Sequence, residues 1–374
     1  MPSLHTLPMK RFDHGPSRSR GQPLRPPGSS EELRKPPTTR YQGSKRRLLP
    51  WLWENLADLE FETALDAFGG TGCVSYMLKC RGKRVTYNDY LKFNHLVGLA
   101  IVENSSTRLS DDDVRLVLTR HPQLEYGDFI QRRFAGVFFT AEENAWLDLA
   151  CQNIPLLEDP FKRALAYYAL GQSCVIKRPY NLFHRSNLSM RTSDVARSFG
   201  NKATWDRPFE EHFQKFVGQA NAAVFDTGVP CKAVCRDAID VPGQYDLVYI
   251  DTPYVTRKGV GVDYLDFYHF LEGMVDYPSW PSRINLRKKH FPLVGDRSPW
   301  SDAKRTCGAF SRLFDRYAGS TLVVSYRSDG IPSESELVAM LRRVKRNVRV
   351  LHYGEYKYVL SKNGSSKEIL LIAS

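Results

Sequence analysis

One stretch constrains the fold more than any other: TALDAFGGTGCVSYMLKCRGKRVTYNDY, residues 63–90. Ala64 and Leu65 form a short apolar strand that enters a glycine-rich turn. The turn opens a helix bearing Val74, Tyr76, Met77 and Leu78, and a second strand follows that ends in Asn88-Asp89. With an acidic residue roughly twenty positions after the loop, this is the layout of an adenosyl- or dinucleotide-binding half-sheet. Gly70 and Gly72 remove the side chains that would keep a ligand from the helix N-terminus. The lysine and hydroxyl residue that close a phosphate loop are missing, which disfavours ATP. Asp89 can accept from both ribose hydroxyls or cap the following helix, and Asp66 can serve a ligand or the turn.

The rest of the chain divides around this unit. Residues 1–38 are rich in Pro, Ser, Gly and Arg without hydrophobic period, and predict a flexible basic arm. Order is expected from RYQGSKRRLLPWLWENL, where Leu48, Leu49, Leu52, Trp53 and Leu56 have helical spacing. Residues 95–227 are mostly helical in pattern, as in AEENAWLDLACQNI and PFKRALAYYALGQSCVIK, while 178–207 is polar, basic and aromatic and predicts a loop. Strand–helix alternation resumes near residue 231 and ends in two strands, NVRVLHYGEYKYVL and KEILLIAS, joined by the turn SKNGSS. The expected organisation is an α/β catalytic domain of residues 39–98 plus 228–374, interrupted by a helical insert, 99–227.

Charge narrows the partner. The formal net charge is +12 and the pI near 9.3, with eleven Lys/Arg against three acids in residues 1–47 and seven against two in 177–207. Such clusters suit a polyanion such as nucleic acid, or simply a soluble basic surface. The seven cysteines are scattered, and the C-x3-C of Cys231 and Cys235 has no second pair, so free thiols and no metal are expected. Neither an apolar run of about 18 residues nor a signal-peptide pattern is present, which points to the cytosol and away from membranes.

The stretch YDLVYIDTPYV (245–255) carries the chemistry. Its apolar run, Leu247 to Ile250, is a buried strand in pattern, and it stops at Asp251-Thr252-Pro253-Tyr254. Ligands in open α/β sheets sit at that strand end. An amino group on an aromatic ring is a poor nucleophile, because its lone pair is delocalised into the ring. Two acceptors on its two hydrogens draw the nitrogen toward tetrahedral geometry and free the pair. Asp251 supplies one acceptor and the Thr252 carbonyl the other; Pro253 stiffens the turn, and Tyr254 offers a face to a planar base. A plain turn with a capping Asp would look the same in isolation.

Taken together, these elements resemble the DNA adenine methylase family. YQGSK resembles its W/Y-x-G-G/S-K element, DAFGGTG its D-P-F-x-G-x-G loop, and YNDY its second-strand acidic element. CRDAI is similar to the element that binds the cofactor adenine, DTPY to the catalytic D-P-P-Y, and YNLFHRSN to F-N-G-L-x-R-x-N. Ala67, Leu182 and Thr252 depart from the pattern, the last keeping the backbone carbonyl but not the rigidity of a proline. The resemblance spans roughly residues 39 to 374 and implies a Rossmann-like methyltransferase sheet with a helical target-recognition insert.

It implies S-adenosyl-L-methionine (AdoMet) as cofactor, S-adenosyl-L-homocysteine as product, and N6 of a flipped-out adenine in double-stranded DNA as target. Tyr41, Gly43, Lys45, Asp66, Phe68, Gly70, Gly72, Asp89, Asp237, Ala238 and Asp251 are the implied cofactor contacts. Lys177, Arg178, Tyr180, Asn181, Arg185, Asn187 and Arg191 are the implied DNA contacts. A cognate restriction endonuclease is a partner that such a host or phage setting allows. The tetrapeptide alone also permits cytosine N4, and a DNA-binding regulator on an inactive fold would differ in lacking AdoMet binding. RINLRKKHFPLVGDR (283–297) is a second basic segment suited to phosphates or to covering the base, and GVDYLDFYHF (261–270) suits a base-pocket wall, with His269 packed rather than catalytic.

Overall fold

The central strands are apolar on both faces because helices cover both sides of the sheet. In the computed structural model, which describes residues 34–193, 202–295, 298–355 and 366–374, seven strands form one sheet. They are β1 (Thr63–Asp66), β2 (Arg84–Asn88), β3 (Lys232–Val234), β4 (Leu247–Ile250), β5 (Thr321–Arg327), β6 (Val348–Glu355) and β7 (Lys367–Ala373). Their order is β3-β2-β1-β4-β5-β7-β6. β1 to β5 pair in parallel, whereas β7 runs antiparallel between β5 and β6. This is the mixed, mostly parallel sheet of a Rossmann-like methyltransferase. β4 alternates cleanly: Leu247 and Tyr249 join the core on one face, Val248 and Ile250 that on the other.

The topology itself makes a crevice. From β1 the chain works outward through β2 and β3, then returns to β4 on β1's other side, so the carboxyl ends of β1 and β4 flank a switch point. The register sets Asp66 opposite Tyr249, and Asp251 follows just past the end of β4. Two carboxylates expected from sequence at separate strand ends therefore share one crevice.

The chain divides into two units, Met1–Arg34 and Lys35–Ser374. Most of the expected basic arm lies outside the described residues, as does the turn expected between β6 and β7. The insert, as expected, is helical, with no strand among its described residues. Thr140 and Glu143 form a capping box at the start of the helix Ala141–Asn153, and Asp159 caps Pro160–Ile176. The latter helix packs on Lys92–Gly98 and on Phe209–Ala223. Phe134, Phe138, Phe139 and Phe183 belong to the same buried cluster as Ala64, Tyr87 and Tyr249 of the sheet. The insert is thus built onto the core.

The 178–207 segment differs from its expected loop. It forms a turn at Pro179–Asn181 and short helices at Ser189–Thr192 and Lys202–Asp206, with 194–201 outside the described residues. Buried cations tie it down, as shown next.

Candidate active site

The glycine loop is shaped by its neighbours. Gly70 (φ +50°) and Gly72 (φ +68°) take left-handed backbone, which favours glycine. At Gly69 a Cβ would run into the Tyr87 ring, whose hydroxyl lies 2.8 Å from the Gly70 carbonyl. Asp89 completes the cradle: Gly70 N donates to Oδ2 at 2.9 Å, Leu91 N to Oδ1 at 2.9 Å, and Asn94 Nδ2 to Oδ2 at 3.1 Å. It both caps its own turn and pins the loop, with burial raising its pKa to about 6. Asp66 accepts from Ser75 Oγ at 2.7 Å through Oδ2, while its buried Oδ1 has no protein partner. Burial pushes Asp66 up to about 7.

Across the cleft stands the end of β4. Lys45 Nζ donates to Asp251 Oδ1 at 2.6 Å and to the Tyr254 hydroxyl at 2.5 Å. Burial opposes the Lys45 charge, yet Asp251 and Glu368 hold its pKa above the ordinary value. For Asp251 burial raises the pKa, Lys45 lowers it and Glu368 raises it, leaving it at about 6. Thr252 is buried, and the Tyr254 ring meets Tyr326 edge-on at 5.1 Å.

A cleft of about 860 Å³ joins the two sides. All the expected cofactor residues except Gly72 line it, together with the full tetrapeptide. Asp237 accepts from Ile239 N at 3.1 Å and stands beside Ala238 on the cleft wall. Trp300, Arg257 and Lys258 line it without having been singled out from sequence, whereas Tyr264 belongs to the 261–270 stretch expected to wall the base pocket. Trp300 meets Phe68 edge-on at 4.9 Å, and Tyr41 stacks on Tyr268 at 4.4 Å and Tyr264 at 5.5 Å. At Gly43 a side chain would strike the Tyr264 hydroxyl. Arg257 and Lys258 lie exposed at the tip of a hairpin closed by the Val255–Gly261 bridge, directly after the tetrapeptide.

The expected DNA contacts split. Lys177, Arg178 and Arg191 are buried, which corrects the expectation that they face DNA. Glu143 takes Lys177 at 2.8 Å and Arg191 at 2.6 Å. Arg178 donates to the carbonyls of Phe138, Leu182 and Arg185 and to Asn187 Oδ1. These cations are buried and bonded inside, Arg191 through its two terminal nitrogens, so they order the segment rather than touch a phosphate. Tyr180 and Arg185 remain exposed, and Tyr180 and Asn181 both hold positive φ, +61° and +60°. His269, expected to be packed, is buried with Nε2 3.0 Å from the Phe183 carbonyl, and burial drives its pKa down to about 3.

Residues 41–272 match the profile of the D12 class N6 adenine-specific DNA methyltransferases. The chain belongs to that family. The match takes in the glycine loop, the insert and the DTPY tetrapeptide of this methyltransferase, while Trp300 and Glu368 lie beyond it. Among relatives, the type II methyltransferase M2.HphI of Haemophilus parahaemolyticus is 29% identical over 90% of this chain and 96% of its own length. The modification methylase StsI of Streptococcus sanguinis is 24% identical over 88% of this chain and 50% of its own. The type II methyltransferase M.FokI of Planomicrobium okeanokoites is 23% identical over 81% and 46%. Against these last two the chain spans about half the relative's length. Family membership makes the enzyme adenine-specific, which removes the cytosine reading. Among the described residues no helix is long and apolar enough to cross a membrane.

Proposed function

We propose that the cleft binds AdoMet against the glycine loop and a flipped-out adenine against the β4 end, and that Asp251 activates the adenine amino group. The observation that carries this is the Lys45–Asp251–Tyr254 cluster facing the glycine cradle across one cleft. The residues present fit the cofactor: the Asp66 Oδ1 without a protein partner suits a cationic amine, and the cleft along Gly69 and Gly70 leaves room for a nucleoside. Asp66, Asp89 and Asp237 would hold its polar groups, with Phe68, Trp300 and Tyr41 as apolar walls. When bound, AdoMet supplies an electrophilic methyl group on a sulfonium.

The chain's residues do the rest. Asp251 accepts one amino hydrogen of adenine and the Thr252 carbonyl accepts the other, so the nitrogen lone pair leaves the ring. Lys45 fixes the Asp251 carboxylate. Because Asp251 lies on the floor of the cleft, a base within the duplex cannot reach it. Extrusion costs a few kcal/mol, which the exposed cations Arg185, Arg257 and Lys258 help offset by holding the backbone. Positioning of the two reactants supplies much of the rate.

We also propose the setting of the type II relatives: protection of one DNA sequence, with a restriction endonuclease reading that sequence as partner. Purified protein incubated with AdoMet and unmethylated DNA should yield N6-methyladenine by mass spectrometry of the digested nucleosides. Sequencing should place it in one recurring sequence. N4-methylcytosine, or no modified base on several DNAs, would overturn the reading.

A further inference from the structure

Behind the tetrapeptide lies a carboxylate that the acceptor mechanism does not use. Glu368 on β7 is fully buried. The Tyr254 hydroxyl lies 2.9 Å from its Oε1 and 3.2 Å from Asp251 Oδ1, Ser325 Oγ donates to the same Glu368 oxygen at 2.6 Å, and Lys45 Nζ stands 3.4 Å from it. Lys45 in turn donates to both Asp251 and the Tyr254 hydroxyl. One ammonium therefore serves two carboxylates, and the tyrosine hydroxyl links them.

We propose that Glu368 is a positioning residue for methyl transfer. It shares Lys45 with Asp251 and fixes the Tyr254 hydroxyl, leaving Asp251 a strong acceptor for the target amine. The physical reason is the charge count. A carboxylate with a lysine to itself forms a closed ion pair whose lone pairs are already drawn toward the ammonium. A lysine divided between two carboxylates leaves a net negative charge on the floor of the cleft. Glu368 is also the nearer of the two acceptors for the Tyr254 hydroxyl, and accepting its hydrogen bond leaves the hydroxyl's lone pairs to Lys45 and Asp251 free of that donor. A buried carboxylate is costly unless it is paired and hydrogen-bonded. All of Glu368's contacts named above lead to the catalytic motif or to Ser325 beside it on the sheet.

Several groups face Asp251. They are Lys45 from the N-terminal segment, Glu368 from β7, Tyr254 from its own turn, Tyr264 from the helix Tyr264–Met274, Asp66 from β1, Cys73 from the helix Cys73–Cys80 and Tyr249 from β4. Lys45 and Glu368 act on it most strongly, with opposite sign. Replacing Glu368 by a neutral isostere removes the repulsion, so Asp251 should hold its proton less tightly and lose it at lower pH.

The test is the full chain with Glu368→Gln, in single turnover on unmethylated plasmid DNA with labelled AdoMet, from about pH 5 to about pH 9. AdoMet affinity is expected to stay within about twofold, while the plateau rate falls roughly tenfold, the low end for removing an outer hydrogen-bond partner of a polar site. The midpoint of the acid limb should move to lower pH, which a merely structural loss would not do. Without cofactor, the fall in thermal stability as pH rises through the Asp251 pKa should shift the same way. A wild-type rate together with an unmoved limb overturns the proposal. Should Glu368→Gln not fold, Glu368→Asp carries the test: slower transfer with AdoMet binding retained supports it, and wild-type transfer overturns it. The inference rests on the acceptor role of Asp251. Turnover by Asp251→Ala would sink that role itself, whereas an inactive Asp251→Ala beside a wild-type Glu368→Gln sinks only this proposal.

Discussion

Two buried clusters in this enzyme use the same ingredients in opposite proportion. On the floor of the cleft, one cation, Lys45, stands between two carboxylates, Asp251 and Glu368. In the insert, one carboxylate, Glu143, stands between two cations, Lys177 and Arg191. In the first, burial raises Asp251 and Glu368 adds to that against the pull of Lys45, leaving it at about 6. In the second, burial pushes Glu143 up but Arg191 and Lys177 more than reverse it, and its pKa ends lowered. A surplus of negative charge suits the acceptor role proposed for Asp251. A surplus of positive charge makes a permanent tie. Sequence composition cannot separate these uses, because each is simply a set of charged residues until burial is known.

The largest expected effect isolates the cleft. Asp251→Ala should lower methyl transfer by about a thousandfold or more while AdoMet and DNA still bind, as expected when a transition-state acceptor is lost. Filter binding alongside single-turnover kinetics checks it, and residual turnover near wild type would erase the contrast between the clusters. Next comes the insert. Glu143→Gln leaves two buried cations without a counter-charge and should cost about 3 kcal/mol of stability, read by chemical denaturation. Its acid limb of methyl transfer should stay where the wild type has it.

The clusters should also slope oppositely with pH. Glu143, with its pKa depressed, contributes stability above its unfolded pKa of about 4.3, lost as pH falls through the folded value. Asp251, with its pKa raised, contributes stability below its unfolded pKa of about 3.9, lost as pH rises through the folded value near 6. Asp251→Asn should therefore melt higher than wild type at pH 8, and Glu143→Gln should lose the acid-side decline. Melting curves across pH test both signs. The smallest effect separates buried from exposed arginine. Arg185→Ala should weaken DNA binding several-fold and reduce the salt slope by about one, the signature of one phosphate contact. An unchanged slope would move the DNA grip elsewhere, for which the Arg257-Lys258 hairpin is placed.

Much of the sheet was legible because its signals are local. The β1–loop–helix–β2 unit and the end of β4 each sit within one short stretch, and glycine spacing, apolar runs and strand-end acids mark them directly. Asp66, Asp89, Asp237 and Asp251 all reach one cleft for that reason. What escaped depends on distance along the chain. Glu143 lies 48 residues from Arg191, so nothing near the 177–191 segment signalled that its cations were already paired. Trp300 reaches the cleft from a later segment that a local pattern cannot connect to Phe68, and although 261–270 was expected to wall the pocket, the stacking of Tyr264 and Tyr268 on Tyr41 lies across too many residues to read locally. Glu368 was hidden in a strand that otherwise reads as plain core.

The strand order has a consequence in time as well as in space. β7 is made after β5 and β6 yet lies between them. A ribosome that has delivered β6 has therefore not yet delivered the strand that β6 pairs with, and one side of β5 stays unzipped meanwhile. Folding cannot simply follow synthesis along the sheet. Pairing of β7 with β5 and β6 is also what brings Glu368 to Lys45 and Tyr254. Until β7 pairs with β5 and β6, Lys45 and Tyr254 lack the Glu368 carboxylate they share, so the sheet edge and the proposed site depend on the same strand.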